Sequence, residues 1–204
     1  MATKKSVEKS ASSEERIKEA ARKVFTRKGY AATRTRDIAE EAGINLALLN
    51  YYFRSKEKLF QEVMAEKVQQ LFAGLLPIVH DPATTLTEKI ALLAEHYTTV
   101  ISLNPDLPFF VLYEIRNDAG KFVSRIDGAQ QLKNSVMFRQ LKKASPDADP
   151  YQMVVNLFSL LIFPFVARNM LHALLGVDAA QLKRMLAERQ RLIPAWMEVM
   201  MKEP

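Results

Sequence analysis

The residues with the clearest chemical promise form one short stretch near the N-terminus, Asn45-Leu46-Ala47-Leu48-Leu49-Asn50-Tyr51-Tyr52, set among arginines and lysines. At the helical 100° per residue, Leu49 and Phe53 point to one side, while Ala47, Leu48, Asn50 and Tyr51 point away. Such an outward face suits the edges of base pairs. An Asn amide can both donate to and accept from adenine, and small or apolar side chains can meet a thymine methyl. Other chemistries find no comparable set. There is no cysteine, which removes disulfides, thiolate nucleophiles and cysteine-ligated zinc. His80, His96 and His172 fall on separate segments with no second ligand at i+3 or i+4, so no metal is expected. Neither a nucleophile motif nor a glycine-rich phosphate loop is present, so neither an enzyme nor a cofactor is expected.

The charge distribution supports the same stretch. The formal net charge of +6 belongs wholly to residues 1–60, which hold 14 Lys/Arg against 8 Asp/Glu. A basic segment joined to a neutral body fits a polyanion-binding module on a separate regulatory or assembly body. A solvated basic tail or a membrane-surface segment would give a similar count. The first twenty residues are polar and unlike a secretory signal, so a cytoplasmic location is expected.

The elements that must position this stretch are all helical, because Ala, Leu, Glu, Lys and Arg dominate and strand signals are scarce. Residues 1–11 read as a flexible basic arm. Ser12 with Glu15 fits a capping box, and Ile17, Ala20, Ala21, Val24 and Phe25 form one apolar stripe that Gly29 ends. A second helix, about Thr35–Ala42, buries Ile38, Ala39 and Ala42. After Gly43-Ile44-Asn45 a third, Leu46–Tyr52, follows. Two short helices around a turn opened by glycine make a helix-turn-helix, although a plain helical hairpin has the same outline. Ser55 caps a fourth helix that runs toward Pro77 and Pro82, out of the basic module and into the body. Further helices are expected over about 85–103, 108–117, 127–144, 150–175 and 178–201, with an interruption at Asp118-Ala119-Gly120 and a stop at Ser145-Pro146.

Three runs of residues resemble the N-terminal domain of the TetR (tetracycline-repressor-like) family. They are Gly29-Tyr30-Ala31-Ala32-Thr33, Arg36-Asp37-Ile38-Ala39-Glu40-Glu41-Ala42-Gly43-Ile44 and Leu49-Asn50-Tyr51-Tyr52-Phe53-Arg54-Ser55-Lys56-Glu57-Lys58-Leu59. The resemblance covers about residues 13–60. It implies a homodimeric transcriptional regulator, usually a repressor, binding a palindromic operator in double-stranded DNA and released by a small-molecule effector. The domains would be a helix-turn-helix over 12–54 and an effector-binding and dimerisation body of about six helices over 55–204. Carried over by position, Asn45, Leu46, Ala47, Leu48 and Asn50 sit at the base-reading helix. Thr33, Thr35, Arg36, Tyr51, Tyr52 and Lys56 would hold phosphates, which fixes register without reading sequence. Tyr52 suits core packing beside Leu49 equally well. An all-α small-molecule-binding or scaffolding protein without sequence-specific DNA binding is the competing reading.

In the body, Tyr97, Phe109, Tyr113 and Phe138 are the candidate effector-binding cluster, and the absence of an acid–base constellation favours an apolar or aromatic molecule. Pro150 to Ala167 runs 18 residues without a charge. It reads as a helix buried in a dimer rather than a membrane span, since Gln152, Asn156, Ser159 and Pro164 interrupt it. Phe158, Ile162, Phe165, Leu186, Ile193 and Trp196 are the expected dimer interface, a four-helix seam across a two-fold axis.

Overall fold

The computed structural model describes residues 2–144 and 149–202, with side chains from Ser13 onward. Among these residues the secondary structure is helical, with no strand. The chain clusters into two compact units, Met1–Lys67 with Asn104–Phe110, and Val68–Leu103 with Val111–Pro204.

The first unit holds α1 (Ala2–Ala32), α2 (Thr35–Ala42), α3 (Leu46–Tyr52) and the start of α4 (Lys56–His80). Helix α1 begins ahead of Ser12 and takes in residues 2–11, which were expected to form an arm. Lys, Glu and Ala carry good helix propensity there, and neither Gly nor Pro interrupts. Gly29 breaks the helical geometry at φ +73°, a conformation costly for a side chain with a Cβ. The expected stripe is buried, with Ile17, Ala21 and Val24 fully so, against Ile38, Leu49, Phe53, Leu59 and Val63.

Local caps fix the corner. The Arg34 backbone N–H donates to Asp37 Oδ2 at 2.8 Å and starts α2. Gly43, at φ +64°, ends it with its N–H turned back on the helix carbonyls. The Leu48 N–H donates to Asn45 Oδ1 at 2.8 Å and starts α3. The Lys58 N–H donates to Ser55 Oγ at 3.1 Å and starts α4. Seven residues distant in sequence complete the unit. Asp106 Oδ2 accepts the Tyr30 N–H at 3.0 Å, Leu107 is fully buried, and the Phe110 ring meets Phe60 edge-on at 6.2 Å.

The second unit holds the rest of α4, α5 (Leu86–Leu103), most of α6 (Leu107–Ser124), a 3-10 turn (Ala129–Asn134), α7 (Val136–Ala144), α8 (Pro150–Val166), α9 (Arg168–Leu175) and α10 (Ala179–Lys202). Helix α4 passes through Pro77 to His80 instead of stopping at the proline. Helix α6 kinks at Asp118, whose carboxylate then accepts the Lys121 N–H at 2.8 Å and restarts the helix. The stretch expected as one helix over 127–144 divides at Ser135, whose Oγ accepts the Phe138 N–H at 3.2 Å. Its expected stop at Ser145-Pro146 lies outside the described residues.

The helix expected over 150–175 is broken at Ala167, and its two parts are bent by 62°. Pro164 has no N–H for the carbonyl of Leu160, one turn before it. Arg189 of α10 supplies the missing donor, its guanidinium at 3.0 Å from Leu160 O. No single helix among the described residues is long and apolar enough to cross a membrane.

Candidate functional site

In the first unit, the cations divide into two sets. On α1, Lys18 faces Glu14, Glu62 and Glu66 within 3.2–3.7 Å, and Arg22 binds Glu15, Glu19 and Glu66 within 2.6–2.8 Å. Lys23, Arg27 and Lys28 pair with Glu19, Glu41 and Asp37. Arg16 donates to the C-terminal carbonyl of α2, at Ala42, over 2.8 Å. By contrast Arg34, Arg36, Arg54 and Lys58 are exposed and have no ion-pair partner among the described residues. These four flank α2 and α3. Positive charge left uncompensated there is the feature that phosphate contact requires.

The expected reading residues differ in exposure. Asn45, Ala47 and Asn50 are exposed, Leu46 and Leu48 are half-buried, and Tyr51 is 79% exposed. Tyr52 is half-buried, its ring edge-on to Tyr51 at 5.3 Å. Of the expected phosphate contacts, Arg36 is exposed and Thr35 half-buried.

Two others are occupied internally. Thr33 is 2% exposed and donates its hydroxyl to Gly29 O at 2.7 Å, so its side chain has no surface to offer. The Lys56 ammonium donates to the carbonyls of Tyr30 and Thr33, each at 2.9 Å, and lies 4.2 Å from the Tyr30 ring centroid. It clamps the α1–α2 turn onto the start of α4. Arg54 and Lys58 were not singled out for phosphate contact, because sequence counts cations without showing which are already paired.

The Arg34 N–H first, and then the Lys28 ammonium at 3.1 Å, hold the Asp37 carboxyl below the usual carboxylate range. A negative charge is thus kept at the N-terminus of α2, where the helix dipole favours it.

In the second unit, a cavity of about 220 Å³ opens among α4, α5, α7 and α8. Its wall is mostly apolar, with Leu75, Leu93, Met137, Leu157 and Leu161 prominent. Tyr97 and Phe138, both expected here, line it. Phe109 and Tyr113 do not; each is 40% or more exposed on α6. Helix α6 turns Phe109 and Tyr113 outward while burying Phe110 and Phe122, a division that periodicity could not fix because its first two turns are apolar on every side.

His96 is seated against α4. His96 Nε2 donates to the Leu71 carbonyl of α4 at 2.9 Å, and a Cβ on Gly74 would come within 2.2 Å of the His96 ring. Gly74 is therefore the notch that admits the imidazole. Burial pushes the Tyr97 hydroxyl up from the ordinary phenol value, so it stays protonated and able to donate.

The expected dimer residues separate by burial. Phe165 and Ile193 are buried within the chain, Phe165 with its ring 6.1 Å from Tyr97, so they belong to one subunit's core and not to a seam. Phe158 lines the cavity. Ile162, Leu186 and Trp196 are half-buried, and Trp196 carries the Arg189 guanidinium at 5.1 Å over its ring. Phe158 is also 41% exposed, and other exposed apolar residues of these helices are Val155 and Phe163 on α8, Met170, Leu174 and Leu175 on α9, and Met185 and Val199 on α10. Leu174 and Leu175 are 74% and 72% exposed. Among the described residues no cluster of His, Asp or Glu could hold a metal.

Comparison with known proteins adds to this geometry. Residues 17–63 match the model of the family described as bacterial regulatory proteins, tetR family. The chain is 33% identical over 121 residues to the HTH-type transcriptional repressor KstR2 of Mycolicibacterium smegmatis, covering 52% of this chain and 58% of that one. It is 36% identical over 84 residues to the HTH-type transcriptional repressor NicS of Pseudomonas putida, covering 40% of each. The matched part thus spans about half the length of these relatives. The fold of a transcriptional regulator of the TetR/AcrR family from Thermobifida fusca superposes with a TM-score of 0.63 at 20% identity, over 89% of this chain and 96% of that one.

Proposed function

We propose that this chain, a tetR-family protein by its N-terminal unit, is a dimeric DNA-binding transcriptional regulator that represses from a palindromic operator and is released by a small apolar effector. The observation that carries the reading is the separation of charge in the first unit. Carboxylates answer the cations of α1, while Arg34, Arg36, Arg54 and Lys58 are left unpaired around the exposed face of α3. In a helix-turn-helix, α3 enters the major groove and α2 crosses the backbone. Asn45, Leu46, Ala47, Leu48 and Asn50 then meet base edges, and Thr35, Arg36, Arg34, Arg54, Lys58, Tyr51 and Tyr52 meet phosphates. Thr33 and Lys56 shape the turn beneath them.

Exposed apolar surface on α8, α9 and α10 supports pairing with a second copy, since Phe163, Leu174 and Leu175 would otherwise stand in water. A two-fold pair places its α3 helices about 34–36 Å apart for adjacent major grooves. The cavity of the second unit supports effector binding. An effector that binds the two states of the dimer unequally would shift α4, which is continuous from Lys56 to His80, and with it the spacing of the α3 helices.

Selection from random duplexes, with sedimentation in parallel, tests the reading. A recovered inverted repeat and a dimeric protein are expected. A monomer, or uniform weak binding at low ionic strength, overturns it in favour of a small-molecule-binding or scaffolding role.

A further inference from the structure

The cavity wall has few polar groups, and most are already engaged. His96 spends Nε2 on the Leu71 carbonyl. Ser135 Oγ accepts the Phe138 N–H as the cap of α7. Lys133 is exposed and Tyr151 is 63% exposed with its ring against Phe138, so both stand at the rim. Tyr97 is different. It is 7% exposed and forms part of the wall, and its hydroxyl has no hydrogen-bond partner among the described residues. Its oxygen is not one of the side-chain atoms sealed in protein without a partner, so it keeps some accessible surface, and the residue lines the cavity. Burial is the only influence on its ionisation, as befits a phenol that neither a charge nor a hydrogen bond reaches.

A buried donor without an acceptor is unfavourable, and a ligand oxygen placed against it removes the penalty. No buried cation lines the wall, so a carboxylate placed deep in the cavity would lose its hydration with nothing to replace it. Size narrows the class further. A cavity of about 150 Å³ holds benzene, so by proportion about 220 Å³ holds roughly nine non-hydrogen atoms.

We propose that the cavity takes a compact, uncharged, largely apolar molecule bearing one carbonyl oxygen, and that Tyr97 is the specificity-determining donor to that oxygen. The proposal rests on the reading of this cavity as the effector site and names the chemical class of its occupant.

Three probes on one bicyclic frame test it on the full chain: indane, 1-indanone and the larger indane-1-carboxylate, with dissociation constants from ligand-detected NMR. The wild type is expected to bind 1-indanone about tenfold more tightly than either of the others, as one net hydrogen bond provides. Tyr97→Phe is expected to bring 1-indanone to the indane value and to leave indane unchanged. In the wild type, the ring carbon bearing the Tyr97 hydroxyl should shift with 1-indanone and not with indane; this decides the matter should the variant bind neither. Equal binding of indane and 1-indanone by the wild type overturns the proposal. So do a preference that survives in Tyr97→Phe, strongest binding by the carboxylate, or no binding of any probe. Release of the selected duplex is measured separately. If 1-indanone binds through Tyr97 without releasing DNA, the ligand class stands and the reading of this cavity as the effector site fails. If only molecules lacking a carbonyl release DNA, the regulator reading stands and this proposal fails.

Discussion

The two units differ in what they leave unanswered. In the first, the core and the caps are complete, and what remains over is charge: Arg34, Arg36, Arg54 and Lys58 around α3. In the second, charge is sparse at the cavity, and what remains over is apolar surface on α8 to α10 together with one unpartnered phenol at Tyr97. The first arrangement suits a hydrated polyanion, whose counterions are released on contact. The second suits ligands that escape water. The contrast shows that a count of residue types is a poor guide to function until internal pairing is subtracted. Lys18 and Arg22 carry the same single positive charge as Arg54, yet carboxylates already neutralise them.

Mutations can break or sharpen this contrast. The largest expected effect separates core from reading face within residues 51–53. Phe53→Ala should cost about 3–5 kcal/mol of unfolding free energy in urea, whereas Tyr51→Ala should stay within about 0.5 kcal/mol and weaken DNA binding instead. Equal losses would erase the division between buried and exposed aromatics.

Lys56→Met should cost about 1.5–3 kcal/mol, because two carbonyls lose a charged donor, while the salt dependence of DNA binding should not change. A shallower salt dependence at full stability would return Lys56 to the phosphate contacts. In the body, Arg189→Met should cost about 1–3 kcal/mol by leaving the Leu160 carbonyl unpaired beside Pro164. Desolvation holds the Arg189 guanidinium below its ordinary value, which agrees with a donor working inside the protein. Thermal unfolding compares that variant with the wild type.

Arg54→Gln and Lys58→Gln should each leave stability unchanged and lower the slope of log affinity against log salt by about one. Titrations at several salt concentrations read this directly. The smallest effect concerns acid. The folded-state value of Asp37 lies below its unfolded value, so its contribution is present above the unfolded value near pH 4 and is lost as pH falls through the folded one. Asp37→Asn should therefore flatten the acid side of the stability profile, with its small loss seen at pH 7 and vanishing toward low pH.

Most of the first unit was legible because its signals are local. Gly29, Gly43, Asn45 and Ser55 act within four residues of where they stand, and the stripe from Ile17 to Phe25 has one helical period. Its joining by Asn104–Phe110 was not legible, since Asp106 meets Tyr30 only after the chain has returned from the body. The body was read less well for the same reason. Phe109, Tyr113 and Phe165 stand in apolar stretches of α6 and α8, where every face suits burial and the pattern does not say against what; Ile193 lies on the apolar face of the amphipathic α10, where the pattern does not say whether this chain or a second copy covers it. The break at Ala167 was more legible, since it falls three residues beyond Pro164, whose missing N–H predicts a kink in this helix.

What the sequence determined by itself was the helical class, the helix-turn-helix corner and the N-terminal bias of charge, because propensity, capping and composition depend on neighbours along the chain. Tertiary structure alone decided which cations are unpaired, which aromatics line the cavity and which apolar residues face water. Those outcomes depend on groups brought within a few ångströms from far along the chain, and no local rule encodes that distance.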